Sequence, residues 1–487
     1  MDEQPTHERI LYSNINRGGR LERKARSLPA GAPAAWTEPE REIPVYAHCD
    51  VLVVGGGPSG TAAAVAAART GADVLLLERY NHLGGLSTGG LVIWIDRMTD
   101  WSGKLVIRGF GEEVLDRLPR DAVAGPPREQ WGATDEANVA HWVQRTAAFR
   151  GVVTWSPTID PEWLKLASQE LVLASGAQLV YHAWAAEPIV EGGAVTGVVF
   201  ENKAGRRAIR AKVVIDATGD GDLYARAGAA FESNFADEDI HHCMNTAWMF
   251  GGVDMDRWIE FRAGQPEQFS EFMALGRERI GLIERPFVSW HSDVALFMGP
   301  RLSGYSAVDI DDQTEVEIRS HRAMAAHLAF FRENAPGFEN AFLMLSAPQL
   351  GVRHSRRLVG VGGVTRAQWP TGRVFEDEIG VSPSLSQVFP SISIPYGALV
   401  PRELDGLLAC GRHLSCDTNS HGFLREIPQC WVTGQAAGVA AAQAVAAGVQ
   451  PRQVPIGPLQ AALARQGVYL QERQAPGPTS PAGNRPR

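Results

Sequence analysis

The sequence predicts an α/β fold: a Rossmann-like dinucleotide-binding domain interrupted by a second, α+β domain. Three observations carry this. Val51 to Val54 is a β-branched, apolar run of the kind buried on both faces, and it leads directly into Gly55, Gly57 and Gly60 at GxGxxG spacing. An alanine-rich stretch follows as far as Gly71, a helix stop, and Ala72 to Leu77 then reads as a second buried strand ending on an acid, Glu78. Later, Arg207 to Val214 forms another strand that runs into a glycine turn, Ile215-Asp-Ala-Thr-Gly-Asp-Gly-Asp222.

The first two observations make a complete βαβ unit. Gly55 permits the tight turn, Gly57 lets backbone approach a pyrophosphate, and Gly60 lets helix and strand pack closely. Pro58 and Ser59 open the helix, whose free N–H groups and partial positive charge suit phosphate. Glu78, 23 positions after Gly55, stands where a carboxylate accepts hydrogen bonds from a ribose. The motif alone leaves FAD and NAD both open.

Composition limits the rest. With 487 residues, 45% hydrophobic and 21% charged, the chain is long enough for two or three soluble domains. A net charge of -9 without a basic stripe argues against a nucleic-acid partner. No apolar run reaches the ~18 residues of a membrane span, and the start, Met-Asp-Glu-Gln-Pro, lacks the form of a secretory signal, so a cytoplasmic location is expected. Cys49, Cys243, Cys410, Cys416 and Cys430 are scattered, with no CxxC, which argues against a disulfide framework, a metal cluster or a paired dithiol.

Taken in order, residues 1–45 form a polar, proline-broken arm and 46–222 the first part of the nucleotide-binding domain. Directly after Glu78, Arg79 to Gly90 is a second glycine cluster, suited to lying flat against a planar or phosphorylated ligand. Residues 96–155 are rich in tryptophan, with helical patches near Gly111 to Leu118 and Asp135 to Phe149, and read as a cap-like insert or as an interface; a homo-oligomer is possible. A helix at Pro161 to Ala174 stops at Gly176, and strands follow at Ala177 to Tyr181, Ala185 to Glu191, Ala194 to Glu201 and Arg207 to Val214. Residues 223–385 read as a substrate or cap domain, with sheet in Phe231 to Val253 and a long amphipathic helix at Asp312 to Asn334. Trp248, Trp258, Trp290 and Trp369 either line a pocket there or pack in its core. Residues 386–450 return to the first domain through a strand at Leu407 to Cys410 and a helix from Thr433, and 451–487 end in a tail with nothing to bury from about Ala475. Gly360-Val-Gly-Gly363 begins no second βαβ unit, so no NAD(P)H domain is evident.

Gly55 to Gly60 with Glu78, the Leu83-Gly-Gly loop, Ala217-Thr-Gly-Asp-Gly-Asp222, Gln349-Leu-Gly-Val-Arg-His-Ser-Arg-Arg357, Leu408-Ala-Cys-Gly-Arg412 and Thr433-Gly-Gln-Ala-Ala-Gly438 together resemble the FAD-dependent oxidoreductase family. That family has a glutathione-reductase-type FAD domain with an inserted substrate domain and is distantly similar to the fumarate reductase and succinate dehydrogenase flavoproteins. The resemblance runs from about residue 48 to 450. It implies that Gly55, Gly57, Pro58, Ser59, Gly60, Glu78 and Arg79 hold the ADP half of a non-covalent FAD, and that Gly84, Gly85, Leu86 and Ser87 pass its ribose and pyrophosphate. Ala217, Thr218 and Gly219 would close the adenine side. Gly411 and Arg412, with the helix carrying Gly434, Gln435, Ala436 and Ala437, would face the flavin, where a helix N-terminus stabilises the charge of the reduced ring. Related flavoproteins often place an acid where this chain has Arg412.

The protein must then supply a substrate pocket and proton transfer. Arg353, Arg356 and Arg357 lie within five residues, and Arg425 follows His421. Arg353 and Arg425 are candidates to fork a substrate carboxylate, the alternative for the Arg353 to Arg357 run being a solvated basic turn or a partner of FAD phosphate, and His421 is a candidate base or a structural donor. His82 is a candidate covalent flavin anchor, against which its spacing counts, and Cys430 reads as packing.

Three functions remain open. One is an FAD-dependent dehydrogenase or oxidase that passes hydride from a small substrate, possibly a carboxylate, to flavin N5 and then electrons to oxygen, a quinone, a carrier protein or nicotinamide. Another is a flavin monooxygenase or reductase fed by external NAD(P)H. The third is a non-redox use of the fold to bind nucleotide or protein.

Overall fold

The computed structural model describes residues 35–233, 243–282, 285–383, 387–388 and 391–472. The expected tail from Ala475 and most of the arm therefore lie outside the described residues.

β1 (Val45–Val54) enters α1 (Pro58–Arg69), and β2 (Val74–Leu77) lies parallel to β1. Pro58 suits the first turn of α1 because its fixed φ is helical and its missing N–H has no partner to lose there. α2 (Pro161–Ser175) starts on Asp160, whose side chain accepts from the Glu162 N–H, and stops at Gly176, where φ is 90°. β3 (Gln178–Val180) joins β2 in parallel. β4 (Trp184–Glu191), β5 (Ala194–Asn202) and β6 (Gly205–Asp216) then form an antiparallel meander, and β6 lies parallel beside β1.

Alternation along β1 builds a core on each face of this mixed sheet. Val51 and Val53 share one with the alanines of α1, whereas Leu52 and Val54 share the other with Leu75, Leu77, Phe200 and Tyr224. Strands buried on both faces read as continuous apolar runs, which is why β1 and β2 were plain in the sequence.

The helical patch expected over Asp135 to Phe149 is corrected. The helix covers only Glu136–Val143, after which Thr146 and Arg150 take φ of 59° and 48°, and Ala148–Phe149 pairs with Val152–Val153 as a small hairpin. The patch near Gly111 is a short helix at Phe110–Asp116.

A second, antiparallel sheet comprises β7 (Trp248–Gly251), β8 (Phe287–Val288), β9 (Val294–Phe297) and, after α3 (Ile310–Asn334), β10 (Phe342–Ser346), in the order β8-β9-β7-β10. Trp248 and Trp258 belong to its aromatic core, with Trp258 stacked edge-on 5.4 Å from both Phe272 and Phe338. The packing alternative therefore holds for these two. Trp290 and Trp369 sit half-buried against the main core.

β11 (Leu407–Ala409) returns the chain to the first sheet, parallel to the end of β6. α4 (Ile427–Ala447) follows and begins at Ile427, not at Thr433. Pro428 in its first turn is a start signal outweighed in the sequence by the small residues of Thr433 to Gly438. Those residues serve a helix contact: a Cβ on Gly434 would lie 2.0 Å from the Ser59 carbonyl oxygen, and one on Gly438 2.2 Å from that of Ala63. α1 and α4 thus touch backbone to backbone.

Candidate active site

A cavity of about 790 Å³ opens where the carboxyl ends of β1, β2 and β6 face the second sheet. Crevices at that position are where open α/β sheets bind their ligands. Gly55, Gly57, Pro58 and Ser59 line it from the first turn, and Gly85 and Leu86 from the second glycine cluster. A Cβ on Gly57 would meet nothing within 4 Å, so the backbone there is open to a ligand, whereas one on Gly60 would sit 1.7 Å from the Gly55 carbonyl oxygen. Gly60 is therefore a packing glycine and not part of the wall.

Glu78 and Arg79 line the same side. The Glu78 carboxylate accepts the Gly56 N–H at 2.5 Å and the Tyr80 N–H at 2.8 Å. Burial pushes its carboxyl up from the ordinary value, and those two bonds pull the other way. Ala217, Thr218 and Gly219 close the wall from the end of β6.

Arg412 also lines the cavity, and its Nη2 donates to Asp220 at 2.7 Å. Asp220 accepts from the Ser355 hydroxyl at 2.6 Å as well, and Arg356 donates to the Asp220 carbonyl at 2.9 Å. Burial alone would raise Asp220, but the charge of Arg412 and these hydrogen bonds hold its carboxyl below the usual carboxylate range. An acid does stand beside the turn after β11, supplied by the Gly219-Asp220 loop and bridged by Arg412.

The arginine run divides three ways. Arg353 lines the cavity, Arg356 lines it too while bracing Asp220 and Asp222, and Arg357 is buried, donating to Glu232 and to the Cys416 carbonyl. The expectation of a solvated basic turn is thus corrected for Arg357, which is 1% exposed. Arg425 and Arg301 join Arg353 on the wall. Burial lowers Arg425 from its ordinary value, Glu426 at 3.0 Å opposes this, and the like charges of Arg353 and Arg301 add to it. Three guanidiniums therefore share one region of the cavity.

Other expected site residues lie off the wall. His421 is buried, and its Nε2 is 3.0 Å from the Arg412 carbonyl oxygen, so as a donor it props the turn that presents Arg412. Ser87 donates to the Gly84 carbonyl at 2.6 Å, Gly84 packs on Thr88, and Gly411 packs on Ser59. Gly434 lies in the contact between α1 and α4, Ala436 and Ala437 are in the core, and Gln435 accepts the Phe110 N–H at 2.9 Å. The first turn of α4 does reach the cavity, through Ile427 and Cys430. Burial pushes the Cys430 thiol up to about 12, which suits packing and not nucleophilic attack. His82 is off the wall too, between Asn81 and Gln349, and burial lowers it to about 4.

Sequence reasoning missed Arg301, Glu317 and Asn245 on the second sheet's side of the cavity, and Trp184 near Arg79. No local motif marks them, since they reach the wall only through long-range packing. Asp220 lay inside a motif that was read for its glycines.

The wall fits FAD on its own evidence. It joins a phosphate-type glycine turn, a buried carboxylate at ribose distance along the chain, and a second region with two buried donors, Arg412 Nε and Arg425 Nε, that have no hydrogen-bond partner among the described residues. Among the described residues no helix is long and apolar enough to cross a membrane.

A family model described as FAD dependent oxidoreductase matches residues 50–463. Among curated proteins, the chain is 27% identical over 211 residues to digeranylgeranylglycerophospholipid reductase 2 of Methanopyrus kandleri, covering 42% of this chain and 46% of that one. It is 29% identical over 241 residues to the protein of that name from Methanothermobacter thermautotrophicus, covering 48% and 56%. The chain thus spans about half the length of these relatives. Among solved structures, a geranylgeranyl bacteriochlorophyll reductase-like protein from Thermoplasma acidophilum aligns with a TM-score of 0.43 at 15% identity, over 86% of this chain and 83% of that one.

Proposed function

This chain belongs to the FAD dependent oxidoreductase family, and we propose that it moves hydride between a small carboxylate-bearing substrate and N5 of non-covalent FAD. In this reading the FAD domain is of the glutathione-reductase type, without a nicotinamide domain of its own, and an external acceptor removes the electrons. Five buried, unpaired cysteines favour a reducing, cytoplasmic setting.

The observation that carries the substrate class is the convergence of Arg301, Arg353 and Arg425 on the cavity that the glycine turn also lines. Planar guanidiniums match a carboxylate in two-point contacts. FAD, when bound, supplies the two-electron redox centre. The arginines would then fix the substrate, Arg412 and Asp220 hold the turn after β11 at the cavity wall, and the apolar wall of Ala247, Phe287 and Met298 excludes water.

The test is anaerobic bleaching of the purified holoprotein by carboxylates and by matched alcohols and amines without a carboxylate. Carboxylates should bleach selectively. Arg353→Met or Arg425→Met should raise the half-saturating concentration by about 10- to 100-fold, each charged hydrogen bond being worth about 1.5–3 kcal/mol. Equal bleaching by the uncharged compounds would refute the substrate class. Relatives named as reductases favour a second reading, in which external NAD(P)H reduces FAD first and the same site delivers hydride. NAD(P)H oxidation stimulated by an unsaturated carboxylate would select it.

A further inference from the structure

Hydride chemistry on a carboxylate-bearing substrate also requires a group that exchanges a proton, and His421, the residue expected for that role, is not on the wall. Among the described residues the cavity wall holds no histidine and five carboxylates. Four are already engaged by backbone amides or arginine: Glu78 by Gly56 and Tyr80, Asp220 by Arg412, Asp222 by Arg356, and Glu426 by Arg425. The fifth, Glu317, projects from α3 on the second sheet's side.

Its Oε2 accepts the Thr246 hydroxyl at 2.5 Å, and the Thr246 backbone N–H is itself tied to Ser320 Oγ at 3.2 Å. Thr246 is 1% exposed, so the clamp that aims the carboxylate is fixed in the core. On the outer side, Nε2 of His321 is 3.9 Å from the same oxygen, and its side chain is 54% exposed against 33% for Glu317. A held carboxylate with one face to the cavity and an imidazole leading to solvent is the arrangement proton exchange needs.

We infer that Glu317 is the proton acceptor of the reaction, a role that rests on the substrate class proposed above. As the substrate C–H bond breaks and its hydride passes to FAD, the neighbouring O–H, N–H or C–H bond gives its proton to the Glu317 carboxylate, and a double bond forms between the two atoms. Bound FAD would supply the acceptor for the two electrons the substrate loses, and Glu317 holds the proton until it leaves to water. In the reducing direction the same carboxyl donates.

Nitroethane and its preformed anion, ethyl nitronate, separate proton removal from electron transfer. Neutral nitroethane must lose a carbon-bound proton to a base before its electron pair can reduce FAD, with water added and nitrite and acetaldehyde released. The nitronate has already lost that proton, and its paired oxygens suit the arginines. In anaerobic bleaching of the holoprotein, Glu317→Gln should slow nitroethane by about 10²-fold or more relative to its effect on nitronate. Glu317→Asp, which keeps a carboxylate but draws it back, should slow nitroethane less. If the Gln variant lacks flavin, the Asp variant still decides: selective slowing of nitroethane supports the role, and equal slowing of both probes overturns it. Nitroethane unaffected in Glu317→Gln overturns the role alone. Failure of wild type to react with nitronate removes the anion site too, and with it the proposed substrate class.

Discussion

Gly57 and Gly60 belong to one motif, yet the structure gives them opposite work, and alanine at each position separates the two. Gly57 has φ -67° and ψ -174°, which any residue adopts, and a Cβ there meets no protein atom within 4 Å. Gly57→Ala should therefore leave the apoprotein as stable as wild type, or more stable by about 0.4–1 kcal/mol from the stiffer unfolded chain. That Cβ points to the cavity, where it would take the space of the FAD pyrophosphate; an overpacking cost of about 1–3 kcal/mol corresponds to FAD binding weakened by about 5- to 150-fold. At Gly60 the added Cβ would sit 1.7 Å from the Gly55 carbonyl oxygen, backbone held at φ 100° that has no rotamer to change. Gly60→Ala should cost the apoprotein about 3 kcal/mol or more. The assays are thermal unfolding of flavin-free protein and titration with FAD followed by flavin fluorescence. Gly57→Ala that binds FAD as wild type does, or that melts several degrees lower without it, would refute the division.

The remaining expectations concern the buried polar groups. Asp220→Asn leaves Arg412 without its counter-charge and should cost about 3–5 kcal/mol in urea unfolding, with weaker FAD binding; a loss below about 1 kcal/mol would show that the pair does not organise the turn. Burial lowers His327 to about 4 from an ordinary 6.5, so the unfolded chain takes up its proton first as pH falls. Its contribution is complete above about pH 6.5 and is lost towards pH 4, at about 1.4 kcal/mol per unit and about 3 kcal/mol in all. His327→Phe should flatten that part of the stability profile, and an unchanged slope would contradict the burial argument.

The glycine turn and the buried acid on the cavity wall were legible because their constraints are local. Val51 to Glu78 carries its strand, turn, helix and acid within one unbroken stretch, and steric limits on Gly55 leave no other residue suitable. The same small-residue signal misled at Thr433 to Gly438, where the glycines answer to the neighbouring α1 and not to a ligand. A short side chain reports only that something comes close, and the sequence does not say what. His421 was singled out for its chemistry, although burial and the Arg412 carbonyl assign it a bracing position. Glu317 and Arg301 carry no pattern at all, since each meets the cavity through an element far away in the chain.

The pairing of Asp216 with Ala409 and the seating of α1 against α4 have a consequence for the making of the protein. On the ribosome, the glycine turn and its alanine-faced helix emerge early, while their lid of backbone contacts is still to be translated. At ordinary elongation rates that interval is on the order of tens of seconds. Throughout it the face of α1 that meets α4 waits for its partner, while its contacts with α2 and with the Phe110–Asp116 helix can form early.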